Sequence, residues 1–462
     1  MEIAKNQIAK TKKVISNMAK SLFTSIVFLC LMNISGFAQV NIIPKPNEIK
    51  TAEGKCNYKK GISIKILRGD ESTKLIQKHL TDFLSENKIT VSNTATTVVS
   101  INLQQTKPTD SVNLEAYTLY ITANNIAITS FGNAGLFYGL QSLFQLIKSD
   151  SNKILPCMEI KDQPAFVYRG FQLDASQQYF KTEVIKKYID AVASLKINHF
   201  VWKLADEKNW RIEIKKYPDL YKIEDAEQID YYTQDDMKQI VQYAAERFVT
   251  VIPEINFALI SETEDTTFQY KKNIVDEILA LFPSKYFHVN NPIFVNDAVV
   301  DYLKANHKKI ISQDLTLSEN TILQSYKNAN IGIGAASTGF PVIMSPKNLC
   351  SLDNYPNWDD SKLSKSMTFL PIDKVYAFDP IAKIKDAKTQ QNILGAQANV
   401  DTKFLNNPAK LAYNIYPRIY ALAECFWTKK SNKTSFKDFS KRLENIGYPG
   451  QITGKINMVK FK

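Results

Sequence analysis

Short apolar runs alternate with amphipathic stretches along most of the chain, and the rhythm changes once. In the first third, residues 62–67, 98–103 and 117–121 read as strands, and 71–84 and 135–147 read as helices. Asn124-Asn125 is a turn signal between 117–122 and 126–130 and predicts a hairpin. This region closes at Asp162-Gln163-Pro164. From Ala165 onward, an apolar run followed by an amphipathic helix recurs. Predicted strands are 167–174, 199–205, 249–257, 286–290, 309–314, 330–333, 342–345 and 392–400. Predicted helices are 183–195, 234–248 with Thr233 as N-cap, 270–282, 297–306, 318–327 and a long 409–426. Strand–helix alternation at this count predicts a (β/α)8 barrel preceded by a smaller α+β domain, with any chemistry at the C-terminal ends of the barrel strands.

The N-terminus has the layout of an export signal. Lys10, Lys12, Lys13 and Lys20 precede an apolar run from Leu22 to Met32, and Gly36 and Ala38 are the small residues of a cut after Ala38. The run is shorter than the roughly 20 residues a membrane span needs. Cys30 follows Leu29, where a lipid-modified cysteine would follow a small residue. The expected organisation is therefore a leader over 1–38, the α+β domain over 39–163, the barrel over 164–448 and a tail over 449–462. The expected location is the periplasm or the exterior, with no membrane span once the leader is removed.

Composition narrows the classes further. The chain has 462 residues, 44% of them hydrophobic, with a formal charge of +12. The leader carries five lysines and one glutamate, so +12 less its +4 leaves +8. The lysines are scattered, which reads as a solvated surface with at most a weak attraction to anionic polymers. No nucleic-acid motif is present. Cys56, Cys157, Cys350 and Cys425 match no zinc spacing, and His79, His199, His288 and His307 are far apart, so neither a metal nor another cofactor is expected. Cys350 and Cys425 lie in apolar stretches and read as buried thiols, with one disulfide left open. The oligomeric state is also open.

Several segments resemble glycoside hydrolase family 20, the β-N-acetylhexosaminidases. Ile43-Pro44-Lys45-Pro46, Ala116-Tyr117-Thr118-Leu119 and the stretch from Gly135 to Leu143 resemble its N-terminal domain. Tyr168-Arg169-Gly170-Phe171-Gln172-Leu173-Asp174 resembles its first barrel strand. Trp210-Arg211-Ile212-Glu213, Ile252-Pro253-Glu254-Ile255, the approach Leu281 to His288, Met344-Ser345-Pro346, Ile393 to Asn399 and Pro417-Arg418 follow in order. The resemblance implies N-acetylhexosamine-containing glycans as ligands. It also implies hydrolysis assisted by the substrate's own acetamide, with an Asp to orient that group and an adjacent Glu to protonate the leaving oxygen.

The residues that would do this are replaced. The family motif His-x-Gly-Gly-Asp-Glu reads His288-Val289-Asn290-Asn291-Pro292-Ile293, so Pro292 and Ile293 stand at the catalytic positions. Gln177-Gln178 stand for Arg-His after the first barrel strand, and the histidines around Trp202 are Val201 and Lys203. Asn256-Phe257-Ala258 follows the third strand in place of Pro-Gly-His, and Ser312-Gln313-Asp314 stands for Trp-Asp-Glu. Ser351 stands for the acetamide-binding Tyr, and Asp401-Thr402-Lys403 for Trp-Thr-Glu. Arg169 and Asp353 are the two sugar-contact positions that the resemblance leaves in place. Arg169 is equally open to a buried ion pair with Asp174 or Glu254, and Asp353 to capping a turn. Trp202 reads as packing. The sequence thus predicts a catalytically inactive homologue with a glycan-binding or interaction role. The rival is an active glycosidase with relocated carboxylates, Glu254 and Asp314 being the pair to test.

Overall fold

The computed structural model describes residues 40–105, 112–221, 230–260, 268–290, 297–314, 321–357 and 368–448. The leader expected over 1–38, the tail expected over 449–462 and the Pro292-Ile293 step lie outside the described residues. Residues from Asn41 onward form one compact unit.

Its N-terminal part is a six-stranded sheet. The strands are β1 (Glu48–Asn57), β2 (Ile62–Arg68), β3 (Thr97–Leu103), β4 (Tyr117–Ile121), β5 (Asn125–Ser130) and β6 (Ile154–Asp162), in the order β1-β6-β4-β5-β3-β2. The hairpin expected at Asn124-Asn125 forms, with Thr118 opposite Thr129. Strand alternation puts Tyr117, Leu119 and Ile121 on the buried face and Thr118 and Tyr120 on the other. Helices Glu71–Glu86 and Asn133–Lys148 cover the buried face. Asp70 caps the first through a reciprocal bond with Thr73. The second is buried almost throughout, because the barrel packs on its far side. Tyr138 meets Trp427 edge-on at 5.2 Å, and Phe137 meets Phe248 at 5.3 Å.

Eight parallel strands then close a barrel. They are β7 (Tyr168–Asp174), β8 (His199–Lys203), β9 (Thr250–Asn256), β10 (Tyr286–Asn290), β11 (Lys309–Ser312), β12 (Ile322–Ser325), β13 (Val342–Met344) and β14 (Ile393–Val400). Tyr168, Val201, Ile252, Tyr286, Ile311, Ile322 and Ile343 fill its lower interior as one buried cluster. Above them the interior turns polar. Gln324 Nε2 donates to Asn399 Oδ1 at 3.1 Å, Gln397 Nε2 to the same oxygen at 3.0 Å, and Tyr168 Oη to Gln397 Oε1 at 2.8 Å.

Three expectations need correction. The sixth barrel strand is Ile322–Ser325, within the segment read as a helix, and 330–333 belongs to helix Ala329–Ser337. Asn328 caps that helix. Gly332 lets that helix approach β12 and β13 closely, since a Cβ would lie 2.7 Å from Met344 Sδ and from Ser325 Cβ and Oγ. The long C-terminal helix is two, Pro408–Ile415 and Arg418–Trp427, divided where Tyr416 turns extended before Pro417. The remaining correction is an omission: β1 and β6 were not read as strands. The four cysteines described are buried free thiols.

Two buried ion pairs tie the sheet domain to the bottom of the barrel. Lys196 Nζ, fully buried, lies 3.0 Å from Asp162 Oδ2 and donates to Tyr117 Oη at 2.8 Å; Trp427 Nε1 donates to the same carboxylate oxygen at 2.9 Å. Arg169 is the other, and its position bears on the site.

Candidate functional site at the barrel mouth

Arg169 does not reach the mouth. It is the second residue of β7, at the strand's N-terminal end. Its guanidinium forks onto Glu115 of the sheet domain at 2.8 and 3.0 Å, and Nε donates to Lys196 O at 2.7 Å. It is fully buried, and Tyr138 and Trp427 present their rings to it. The sugar-contact expectation for Arg169 is therefore corrected. It is an ion pair, as the alternative held, but its partner is neither Asp174 nor Glu254. A domain closure between residues 54 apart in sequence leaves no local pattern from which Glu115 could have been read.

The C-terminal strand ends carry a polar set that is largely spent on itself. Lys203 Nζ, from β8, lies 2.6 Å from Asp174 Oδ2, from β7. Burial works against the ammonium, but Asp174 and Glu254 outweigh it and hold Lys203 above the ordinary lysine range. Asp174 also accepts from Ser176 Oγ at 2.6 Å. Asp206 accepts from the Gln177 amide, from Ser176 Oγ and from the backbone of Lys208 and Asn209. Gln177, at the position of the family's arginine, thus closes on its own chain.

Glu254 is sealed. It is fully buried on β9 and accepts from Gln172 Nε2 at 2.9 Å and Asn290 Nδ2 at 2.8 Å, with His288 Nδ1 2.8 Å away. Burial pushes its carboxyl upward, yet His288, Lys203 and Asn290 prevail and hold it below the usual carboxylate range. A carboxylate so held is a poor proton donor at neutral pH, which weighs against Glu254 as a relocated acid. Asp314 follows β11, its backbone N–H donating to Ser312 Oγ at 3.2 Å.

Asp353 behaves differently. It follows the short helix Lys347–Cys350, is 9% exposed, and accepts a long bond, 3.5 Å, from the backbone N–H of Asp401. Burial, then the nearby Asp401 charge, push its carboxyl up to about 6. The loop around it is fixed from below by Arg418, fully buried, whose Nη2 donates to Leu352 O at 2.6 Å and Asn354 O at 2.8 Å. Beside Asp353 stands Tyr326, just past β12. Its phenol is pushed up to about 12 by burial and then by Asp353. Tyr326 escaped sequence reasoning because β12 was read as a helix; placed correctly, it is an aromatic at a strand end. Ser351 is fully buried at the position of the acetamide-binding phenol.

The raised Asp353 value makes a stability prediction. Its folded value exceeds its ordinary 3.8, so its contribution is complete at low pH and is lost as pH rises through about 6. Asp353→Asn should therefore stabilise the fold by roughly 1–3 kcal/mol near pH 8, with the gain vanishing by about pH 4. Denaturant melts at the two pH values measure this, and an equal effect at both would contradict the assignment.

Among the described residues, no group of three or more His, Cys, Asp or Glu side chains is disposed to hold a metal, and no helix is long and apolar enough to cross a membrane.

Comparison with known proteins agrees with this architecture. The model of the glycosyl hydrolase family 20 catalytic domain matches residues 166–258 and 295–430, and that of the family's domain 2 matches 39–163. The interruption at 259–294 contains Pro292-Ile293. The chain is similar to a β-hexosaminidase of Porphyromonas gingivalis, 31% identical over 72% of this chain and 53% of that one. It is also similar to one of Vibrio furnissii, 24% identical over 84% and 76%. The chain thus spans about half the length of the Porphyromonas relative. The solved β-N-acetylhexosaminidase of Bacteroides fragilis superposes with a TM-score of 0.74 at 25% identity, covering 89% of this chain and 96% of that one. A Vibrio harveyi exo-β-N-acetylglucosaminidase solved with N-acetylglucosamine gives the same score at 23% identity, covering 88% and 76%. The chain is a β-hexosaminidase homologue and belongs to glycoside hydrolase family 20.

Proposed function

We propose that this protein is exported and holds N-acetylhexosamine-containing glycans at the mouth of its barrel without hydrolysing them. The observation that carries the reading is the replacement of the adjacent Asp-Glu by Pro292-Ile293. Neither side chain donates a proton, accepts one or bears charge. The described part of the mouth supports it. Gln177 and Lys203 are occupied by Asp206 and Asp174, and Glu254 is sealed. Asp353 with Tyr326 offers a hydrogen-bonding carboxyl beside an aromatic, a combination suited to a sugar ring. A glycan array on the mature protein, paired with a chromogenic N-acetylglucosaminide assay, tests both halves. Binding without turnover is the expected result; no binding of any N-acetylhexosamine glycan would defeat the ligand assignment.

A second reading has one observation in its favour. Asp353, at about 6 and next to Asp401, has the displaced value that a general acid would need. It predicts slow hydrolysis that falls as pH rises through about 6 and disappears in Asp353→Asn.

Export predicts a mature N-terminus at or near Gln39, because Gly36-x-Ala38 follows the apolar run. N-terminal sequencing of exported protein checks this; a chain retaining Met1 or Lys20 in the membrane fraction would refute it.

A further inference from the structure

The N-terminal sheet has one face under its helices and the other turned outward, and the outward face has the makings of a second ligand site. Register places Lys161 of β6, Thr118 of β4, Thr129 of β5 and Asn102 of β3 in one row on this face. At one end of it, a cleft of about 410 Å³ is lined by Thr118, Thr129, Gln104, Phe131, Lys161 and, from the segment after helix Arg418–Trp427, Lys429. Among the described residues, the side chains of Gln104, Thr118, Thr129 and Lys429 make no hydrogen bond or ion pair with the protein. The cleft therefore presents hydroxyl, amide and ammonium groups that are free for a ligand. Its volume falls within the roughly 300–1,000 Å³ typical of small-molecule sites.

Two features select the ligand. The first is aromatic. Tyr120, on β4, is 47% exposed, and Phe131, just past β5, is 37% exposed. Tyr120 pairs with Ala127, four residues before Phe131, so the two lie about 13 Å apart along the strands at ~3.3 Å per residue. An extended chain with flat apolar faces would meet both. The second is charge. Lys50, Lys65, Arg68, Lys161 and Lys429 are exposed on this side, against the carboxylates Glu48 and Glu159. Those two are already engaged by Lys50 at 2.7 Å and Lys161 at 3.2 Å. The surplus is positive. Asp162, the other carboxylate at the cleft, faces inward to Lys196.

We propose that this face binds an anionic polysaccharide, a chain of sugar rings bearing carboxylate or sulfate groups, at a site separate from the barrel mouth. Aromatic rings take the sugar faces, Thr118, Thr129 and Gln104 take hydroxyls, and the lysines take the acidic groups. The site does not depend on what the barrel mouth binds.

Titration calorimetry of the mature protein with chondroitin sulfate, polygalacturonate and dextran tests it. Both anionic chains should bind and dextran should bind at least about tenfold more weakly. Phe131→Ala and Tyr120→Ala should each weaken binding about tenfold, and so should the pair Lys161→Ala with Lys429→Ala. The pair Lys187→Ala with Lys441→Ala, which removes the same charge from exposed helical positions outside the cleft, should leave it unchanged. Absence of binding to both anionic chains would overturn the proposal. So would binding that ignores Phe131→Ala and Tyr120→Ala and is matched by duplex DNA, since bare attraction between opposite charges would then suffice. Far-UV melts of the variants confirm that the exposed substitutions leave the fold intact.

Discussion

Aryl β-N-acetylglucosaminide incubated with the mature protein is expected to be cleaved no faster than in buffer, and Ile293→Glu is expected not to change that. The substitution returns a proton donor, which in an organised site is typically worth ~10²–10⁴ in rate. It returns nothing to hold the acetamide. Pro292 cannot polarise it, and Ser351 is too short to stand in for a phenol. Adding Pro292→Asp should recover little. Gln177 is tied to Asp206, Lys203 to Asp174, and Lys403 stands where an acceptor for sugar hydroxyls is expected. Reacting groups that are not held in near-attack geometry lose most of their advantage. Wild-type turnover at an ordinary enzymatic rate, about 1–10³ s⁻¹, would overturn the non-hydrolytic reading. Asp353→Asn and Glu254→Gln would then locate the carboxylate responsible.

A second large effect is expected at the domain junction. Asp162→Ala removes the partner of a fully buried ammonium and one acceptor each of Tyr117 and Trp427. Burial already pushes Lys196 below the ordinary lysine range, with Asp162 opposing. Breaking one side of a buried pair costs about 3–5 kcal/mol, because the other charge remains without compensation. For a chain of this size, that is a fall in melting temperature of roughly 3–6 °C. Lys196→Met in the same background should return more than half of the loss, since replacing both partners removes the orphaned charge. A melting temperature within about 1 °C of wild type in the single variant would show that the junction does not depend on this pair.

The barrel was legible because its strands are apolar runs separated by helices of ordinary length, and period decides both. It failed locally at 318–333, where a four-residue strand and a glycine-bearing helix give weak and conflicting signals. The division of the last helix was signalled by Pro417 and passed over, because apolar spacing continues across it. At the site, sequence offered Arg169 and Asp353 alike, and Arg169 is engaged at the domain junction by Glu115. Residues that pack and residues that contact ligand look alike when both are charged and near a strand. What separates them is which end of the strand they occupy, and whether a partner such as Glu115 arrives from another domain. Tyr326 was hidden by the misread strand before it.

The two bonds from Arg418 to Leu352 O and Asn354 O have a further consequence. They grip the main chain on either side of residue 353 and leave its side chain out of the arrangement. The loop's shape is thereby held mainly by main-chain bonds, to which the Asp353 carboxyl adds one long bond from the backbone N–H of Asp401. Position 353 works as a socket: its contents can be exchanged, by mutation or by design, while the rim that presents them stays where it is. A rim held by its own main chain is a ready frame for new specificity, one side chain at a time.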